Sequence, residues 1–402
     1  MLADIVIASV AIVCCIVLLH PRLARARLWR ATITPLASII GSGFLIAGPI
    51  LADATGQQAW LAMLSLCGVA YLFGAAIRYN IRHVEPVLRE TADIPTRTIE
   101  RLSEAVLAVA YFISVAYYLS LFASFGLRLV NITDPTLSRW VATAVIATLG
   151  AVGGIGGLRE LERLAAYTVG LKLGLIFAVI FALVGSSIFA MAAGTFAWPA
   201  LEHPRGLNEL QIVLGLVILV QGFETSRYLG EEYDAETRIR TMRWAQWLST
   251  AIYASFILLA TRFFQNQLPA EGGETAIIDI LAPLGGIIAP MIILTALASQ
   301  SSAAIADTNG AGGLLSEATG KRVSVKVGNI LTATAAIAII WIADIYEIIV
   351  YASKAFVGYY ALQCIQATVM AARKRHSIDA SIYAVGVIIA FIVLILAVPA
   401  SA

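Results

Sequence analysis

The chain has 402 residues, 60 % of them hydrophobic and 13 % charged, with a formal net charge of +2, and its mean hydropathy is +0.86. A soluble fold of this length must wet its surface with polar groups, so the composition excludes one and points to lipid as the solvent. The nearly balanced charge suits no nucleic-acid partner. The four cysteines include no C-x-x-C pair, so neither a disulfide framework nor a zinc site is indicated.

Backbone groups in hydrocarbon must be bonded internally, so spanning segments are helices or a closed barrel. The apolar runs are about twenty residues long, the length of a helix that crosses at ~1.5 Å per residue. A barrel would show short alternating segments instead. The expected fold class is an all-α integral membrane protein. Twelve spans can be drawn, at 3–20, 33–53, 58–78, 104–129, 138–153, 163–192, 209–229, 244–263, 276–300, 325–343, 345–371 and 380–399.

No basic residue precedes the first span, Asp4 near its start is acidic, and Arg22, Arg25, Arg27 and Arg30 follow it. That asymmetry argues against a secretory signal and places the N-terminus outside. Alternate loops then hold 21 of the 27 Lys and Arg residues, the opposite loops hold 4, and Lys172 and Lys354 fall inside spans. The bias predicts an even number of crossings, with both termini outside the cytoplasm of what reads as a bacterial cytoplasmic membrane. Residues 1–31 read as an extra helix with a basic linker, and 377–402 as a C-terminal helix. Between them, 32–193 and 194–376 read as two five-helix repeats.

The span at 33–53 contains Gly41-Ser42-Gly43 and Gly48-Pro49 near mid-membrane. Gly costs roughly 1 kcal/mol against Ala in a helix interior and Pro about 3, so a discontinuous helix is expected, with non-helical backbone near Gly41–Gly43. Asp134-Pro135 reads as a helix N-cap with proline in the first turn. Gly153 through Gly157 reads as a flexible joint. The span at 209–229 carries Gln221-Gly222-Phe223-Glu224, a second interruption. Excluding the first span, the interrupted helices are core helices 1 and 6, opposite in direction, and such a pair points to a transporter binding site.

At these residues the chain resembles the amino acid–polyamine–organocation (APC) superfamily of transporters with the LeuT-type fold. Ile40-Gly41-Ser42-Gly43-Phe44 is similar to the family's interruption in core helix 1, and Gly222-Phe223-Glu224 to the pattern in helix 6. An acidic loop (Glu231, Glu232, Asp234) and an Arg-rich entry to helix 7 follow. Gly170-Leu171-Lys172-Leu173-Gly174 resembles the lysine-bearing stretch of helix 5. Ser299 through Gly320 resembles helix 8 running into its connecting helix. The chain departs from the family at Ile218, Leu219 and Val220, where aromatic and small residues are usual. It lacks the D-P-G-N and M-P-H patterns of the divalent-metal branch and the N-x-W-R-F-P pattern of the neurotransmitter branch.

The resemblance implies that Ile40, Gly41, Ser42 and Gly43 offer backbone N–H groups to a substrate carboxylate. The carbonyls freed near Val220, Gln221 and Gly222 suit an ammonium, Phe223 is expected at the same site, and Tyr117 and Tyr118 read either as closing over the cargo or as packing. In proton-coupled relatives a helix 5 lysine takes the place of sodium between helices 1 and 8. Lys172 is thus expected there, with Ser301 and Ser302 as the nearest hydroxyls; the competing account is a snorkelling lysine. Glu224 reads either as an i,i+3 partner of Arg227 or as a gating or proton-path group. Lys354 is assigned to a pair with Asp344 or Glu347, or to a gate.

The histidines (His20, His83, His203, His376) lie in loops or at span ends without metal spacing, and no nucleophile stands beside a base, which argues against an enzyme. The expected function is proton-coupled (alternatively sodium-coupled) symport or exchange of an amino acid or related small amine by alternating access, with no cofactor. The alternatives are a superfamily transporter of a nucleobase or an inorganic cation, and a membrane sensor without flux.

Overall fold

A computed structural model describes residues 2–90, 93–199, 206–264 and 273–400. The described residues form helices joined by short turns, with no strand among them. In chain order the helices are α1 (Leu2–Leu19), α2 (Pro21–Ala24), α3 (Arg27–Gly43), α4 (Ala47–Thr55), α5 (Ala59–His83), α6 (Glu85–Glu90), α7 (Ile94–Leu127), α8 (Pro135–Ile155), α9 (Arg159–Ala192), α10 (Leu207–Leu214), α11 (Ala235–Thr261), α12 (Ile277–Leu281), α13 (Ile288–Ala318), α14 (Val325–Ile342), α15 (Ile345–Arg373) and α16 (Ser377–Leu396). The 3₁₀ turns Val217–Val220 and Phe223–Leu229 lie between α10 and α11. Eight helical segments are long and apolar enough to cross a membrane by themselves.

Helix starts follow local chemistry. The Asp134 carboxylate accepts from the Thr136 and Leu137 amides and opens α8 at Pro135. Asp93 caps α7 and meets Arg373 of α15 at 2.8 Å. The Thr96 and Arg373 hydrogen bonds hold its carboxyl down to about 2. Asp344 and Glu347 form a capping box at the start of α15. That use of both carboxylates corrects the pairing assigned to Lys354, which has no ion-pair partner among the described residues. The glycine-rich stretch after α8 is no joint either. The helix runs through Ile155, and Gly150, Gly153 and Gly154 abut Ala333, Asn329 and Ile330 of α14, so only Gly157, at φ +82°, ends it.

The centre of the bundle is α13, which packs on α7, α9 and α3; α15 packs on α7, α5 and α16, and α11 on α5 and α3. The extra helix α1 lies along α9, and its Asp4 carboxylate accepts from the Ile287 amide ahead of α13. Outward faces carry large exposed side chains such as Ile16, Phe189 and Ile395, as a lipid-facing surface should.

Candidate functional site

Core helix 1 consists of α3 and α4. The structure moves its interruption downstream of the glycines: α3 stays helical through Gly43, and the turn is Phe44–Ile46. Phe44 and Ile46 keep right-handed helical dihedrals, so the break is slight. The interruption expected near Gly41–Gly43 thus falls directly after Gly43. A Cβ on Gly41 would stand 3.2 Å from Ala303 Cβ of α13, and one on Gly43 would stand 2.5 Å from Leu219 Cβ. These glycines let α3 approach α13 and the helix 6 segment. Ile40 is buried. Ser42 is helical in its backbone, and its side chain lies outside the described residues.

Core helix 6 breaks fully. After α10 and Gly215 the chain tightens into a 3₁₀ turn, extends at Gln221 (ψ 173°) and reverses at Gly222 (φ +115°). Only glycine adopts that φ without strain, and the position is crowded by Ser38 Oγ and Ile39 N. Broken backbone inside a bundle needs partners from neighbouring side chains. Ser353 of α15 supplies two: its hydroxyl donates to the Gly215 carbonyl at 2.6 Å and accepts from the Ile218 amide at 2.9 Å. Thr225 Oγ1 donates to the Gly222 carbonyl at 2.8 Å. The Gly222 amide donates to Glu224 Oε2 at 2.9 Å.

Tyr253 of α11 ties the two interrupted helices together. Its hydroxyl lies 2.9 Å from the Ile39 carbonyl and 2.7 Å from the Leu219 carbonyl. Nothing in the sequence pattern singles it out, because its partners are 214 and 34 positions away. Beside it, Ile39, Val220 and Gln246 help line a cavity of about 10 Å³, close to the room one water needs.

Lys172, on α9, is fully buried. Its ammonium donates to the Ala37 carbonyl of α3 at 2.8 Å and to Ser302 Oγ of α13 at 3.4 Å. The structure therefore brings Lys172 and Ser302 together between core helices 1 and 8. Ser301 turns its hydroxyl back onto the Leu297 and Ala298 carbonyls of its own helix. The snorkelling account of Lys172 fails on this geometry, because the head group is enclosed.

Tyr117 and Tyr118 are wholly buried on α7 with ring centroids 5.3 Å apart. Gln221 Nε2 donates to the Tyr118 hydroxyl at 2.7 Å, which draws the helix 6 break to α7. Phe223 stacks on Tyr360 of α15, ring centroids 5.0 Å apart. Tyr360 donates its hydroxyl to Glu224 Oε2 at 2.7 Å, while Glu224 Oε1 is buried with no hydrogen-bond partner among the described residues. The i,i+3 pair of Glu224 with Arg227 is thus corrected. Arg227 turns instead to Glu100 of α7 at 2.9 Å, to Glu85 at 3.9 Å and to Gln363. Glu85 also meets Arg238 at 2.6 Å, and all these groups are largely buried. This cluster joins α6, α7, α11 and α15 around the end of core helix 6.

A second buried acid goes unread in the sequence. Asp307, in the second half of α13 and 2 % exposed, is hydrogen-bonded to Ser114 of α7. A carboxylate in an apolar helix is the available signal, and an intramembrane acid is by default a functional candidate.

A helical membrane bundle whose broken helix is satisfied by its neighbours, with a lysine and two acids enclosed at its centre, has the architecture of a secondary transporter. The profile of the family described as APC superfamily transporter matches residues 21–397. The chain belongs to that superfamily. It is 39 % identical over 398 residues to a protein of Aquifex aeolicus (strain VF5) described as uncharacterized, covering 98 % of this chain and 97 % of that one. Its fold is similar to that of a mutant of the Eremococcus coleocola manganese transporter, at a TM-score of 0.61 and 12 % identity over 91 % of this chain and 85 % of that one. It is also similar to a Na+-coupled sialic acid symporter in its substrate-bound outward-open state, at a TM-score of 0.54 and 13 % identity over 100 % and 98 %.

Proposed function

We propose that this protein is a proton-coupled symporter or exchanger of an amino acid or related small amine. The observation that carries the reading is Lys172, an enclosed ammonium held by a carbonyl of core helix 1 and a hydroxyl of helix 8. An ionised group costs several kcal/mol to enclose in a bundle, so it persists where it acts. A proton lost from Lys172 removes the charge that holds α3 to α13. Coupling follows if that contact differs between the outward- and inward-facing states. Residues 32–193 and 194–376 act as the two inverted repeats that rock about the site. The cargo lies among Ile40–Gly43, Tyr117, Tyr118 and Val220–Phe223. Glu224 and Asp307 are further buried titratable groups. Both chain termini lie outside the cytoplasm.

A second reading, transport of an inorganic cation, draws on the buried pair Glu224 and Asp307. Among the described residues no three His, Cys, Asp or Glu side chains group for a metal, and the neighbours of the two acids are tyrosine and serine hydroxyls. That set suits an organic ammonium better.

The test is uptake in proteoliposomes with and without a pH gradient, screened over amino acids, amines and divalent cations. Lys172→Ala is expected to abolish gradient-driven accumulation and to retain exchange at equal pH. Lys172→Arg should not restore the response, because a guanidinium effectively never deprotonates. Gradient-driven uptake at the wild-type level in Lys172→Arg would remove Lys172 from the mechanism. Strict sodium dependence would move the coupling to sodium.

A further inference from the structure

Helix α11 begins with a stripe that the transport reading does not use. Arg240, Arg243, Trp244 and Trp247 follow at i, i+3, i+4 and i+7, so they share one face. Arg240 and Arg243 are exposed, and neither is in an ion pair among the described residues. The Arg240 guanidinium lies 4.5 Å from the Trp244 ring centroid. Across from this stripe α3 presents Trp29 and Thr32, and an open cleft of about 520 Å³ separates the helices, floored by Leu248. That volume falls within the roughly 300–1,000 Å³ of sites for drug-sized molecules. Trp247 remains 55 % exposed. The Trp29 indole N–H is covered and has no acceptor among the described residues.

The two chemistries are arranged in order along the helix. Arg240 stands nearest its start, where the chain emerges from a loop, with Arg243 and Trp244 about one turn further in and Trp247 about two. Tryptophan belongs at the boundary of headgroup and hydrocarbon. A ligand matched to both must be anionic at one end and apolar beyond it. We propose that this cleft is a binding site for one anionic phospholipid, its phosphate on Arg240 and Arg243 and an acyl chain between Trp29, Trp244 and Trp247. Basic pockets between membrane helices bind anionic headgroups in this way. The cleft walls are α3, which carries the Ala37 and Ile39 carbonyls, and α11, which carries Tyr253. A seated lipid therefore wedges against two helices of the candidate transport site.

The experiment uses the full chain in nanodiscs of equal parts phosphatidylglycerol and phosphatidylcholine, one of the two brominated in turn, and reads quenching of tryptophan fluorescence. Brominated phosphatidylglycerol is expected to quench the wild type more than brominated phosphatidylcholine, with a preference of about five-fold or more at the cleft. Arg240→Gln with Arg243→Gln should equalise the two lipids. Replacing Trp29, Trp244 and Trp247 by Phe should remove the phosphatidylglycerol-specific part of the signal. Arg89→Gln with Arg322→Gln, exposed positions outside the cleft, should leave the preference intact. Equal quenching of the wild type by both lipids would overturn the site. So would a preference that survives the Arg240/Arg243 changes, or one that falls as far in the Arg89/Arg322 control, since that would mark a general attraction of the basic surface. Each variant's monodispersity and melting temperature are measured alongside. If the Arg240/Arg243 variant unfolds, the wild type alone decides, by whether the preference falls as salt screens the two arginines.

Discussion

Core helices 1 and 6 are both interrupted, yet by different means. At Phe44–Ile46 the dihedrals stay close to helical and the neighbouring glycines serve close packing. At Gln221–Gly222 the chain extends, reverses through φ +115° and depends on Ser353, Tyr253, Thr225 and Glu224 for its hydrogen bonds. A glycine in a membrane helix therefore has two meanings. One lets another helix come near, and the other lets the backbone turn. Only the second makes the position intolerant of any side chain by conformation alone.

Substitutions can break or sharpen that contrast. The largest effect is expected from Gly222→Ala, which places a methyl at positive φ and within 2.6 Å of Ser38 Oγ. It should cost about 3 kcal/mol or more, read as lost monodispersity and a collapse of the melting temperature in detergent. Next comes Tyr253→Phe, which strips a donor shared by the Ile39 and Leu219 carbonyls and should cost about 1–3 kcal/mol. Wild-type stability in that variant would show that the two helices are not coupled through Tyr253. Ser353→Ala should cost about 1–2 kcal/mol and speed hydrogen exchange at the Ile218 amide, leaving amides of α3 unchanged. The smallest effect belongs to Gly41→Ala. The helix gain of roughly 1 kcal/mol offsets a 3.2 Å contact with Ala303, so stability should stay within about 1 kcal/mol of wild type. A loss as large as that of Gly222→Ala would make the two interruptions equivalent.

What can be read in one dimension follows from how far each interaction reaches. The apolar runs, the Asp134-Pro135 helix start and the reversal at Gly222 are local, and the sequence carries them. Lys172 is legible because a lone charge inside a twenty-residue apolar run has few ordinary explanations. The pattern alone puts the break in core helix 1 too early, because packing glycines and turning glycines are the same letter. The bond of Asp307 to Ser114 spans 193 residues, and Ser353 reaches Gly215 across 138. No spacing rule connects such partners. Glu224 and Arg227 illustrate the converse: three residues apart, they turn to Tyr360 and to Glu100 because those groups meet them in the fold.

The first helix has a consequence for assembly in the bilayer. Gly170 and Gly174 of α9 leave room for Leu19 and Cys15 of α1, and a Cβ at Gly174 would stand 2.4 Å from Cys15 Sγ. Helix α1 is synthesised well before α9. At roughly 5–20 residues per second it waits on the order of ten seconds in lipid for the groove that receives it. During that interval its inner face is exposed to whatever else the insertion machinery holds. A bulky residue at Gly174 would strand α1 at this step, and the defect would be seen as protein degraded at insertion, before any transporter exists to assay.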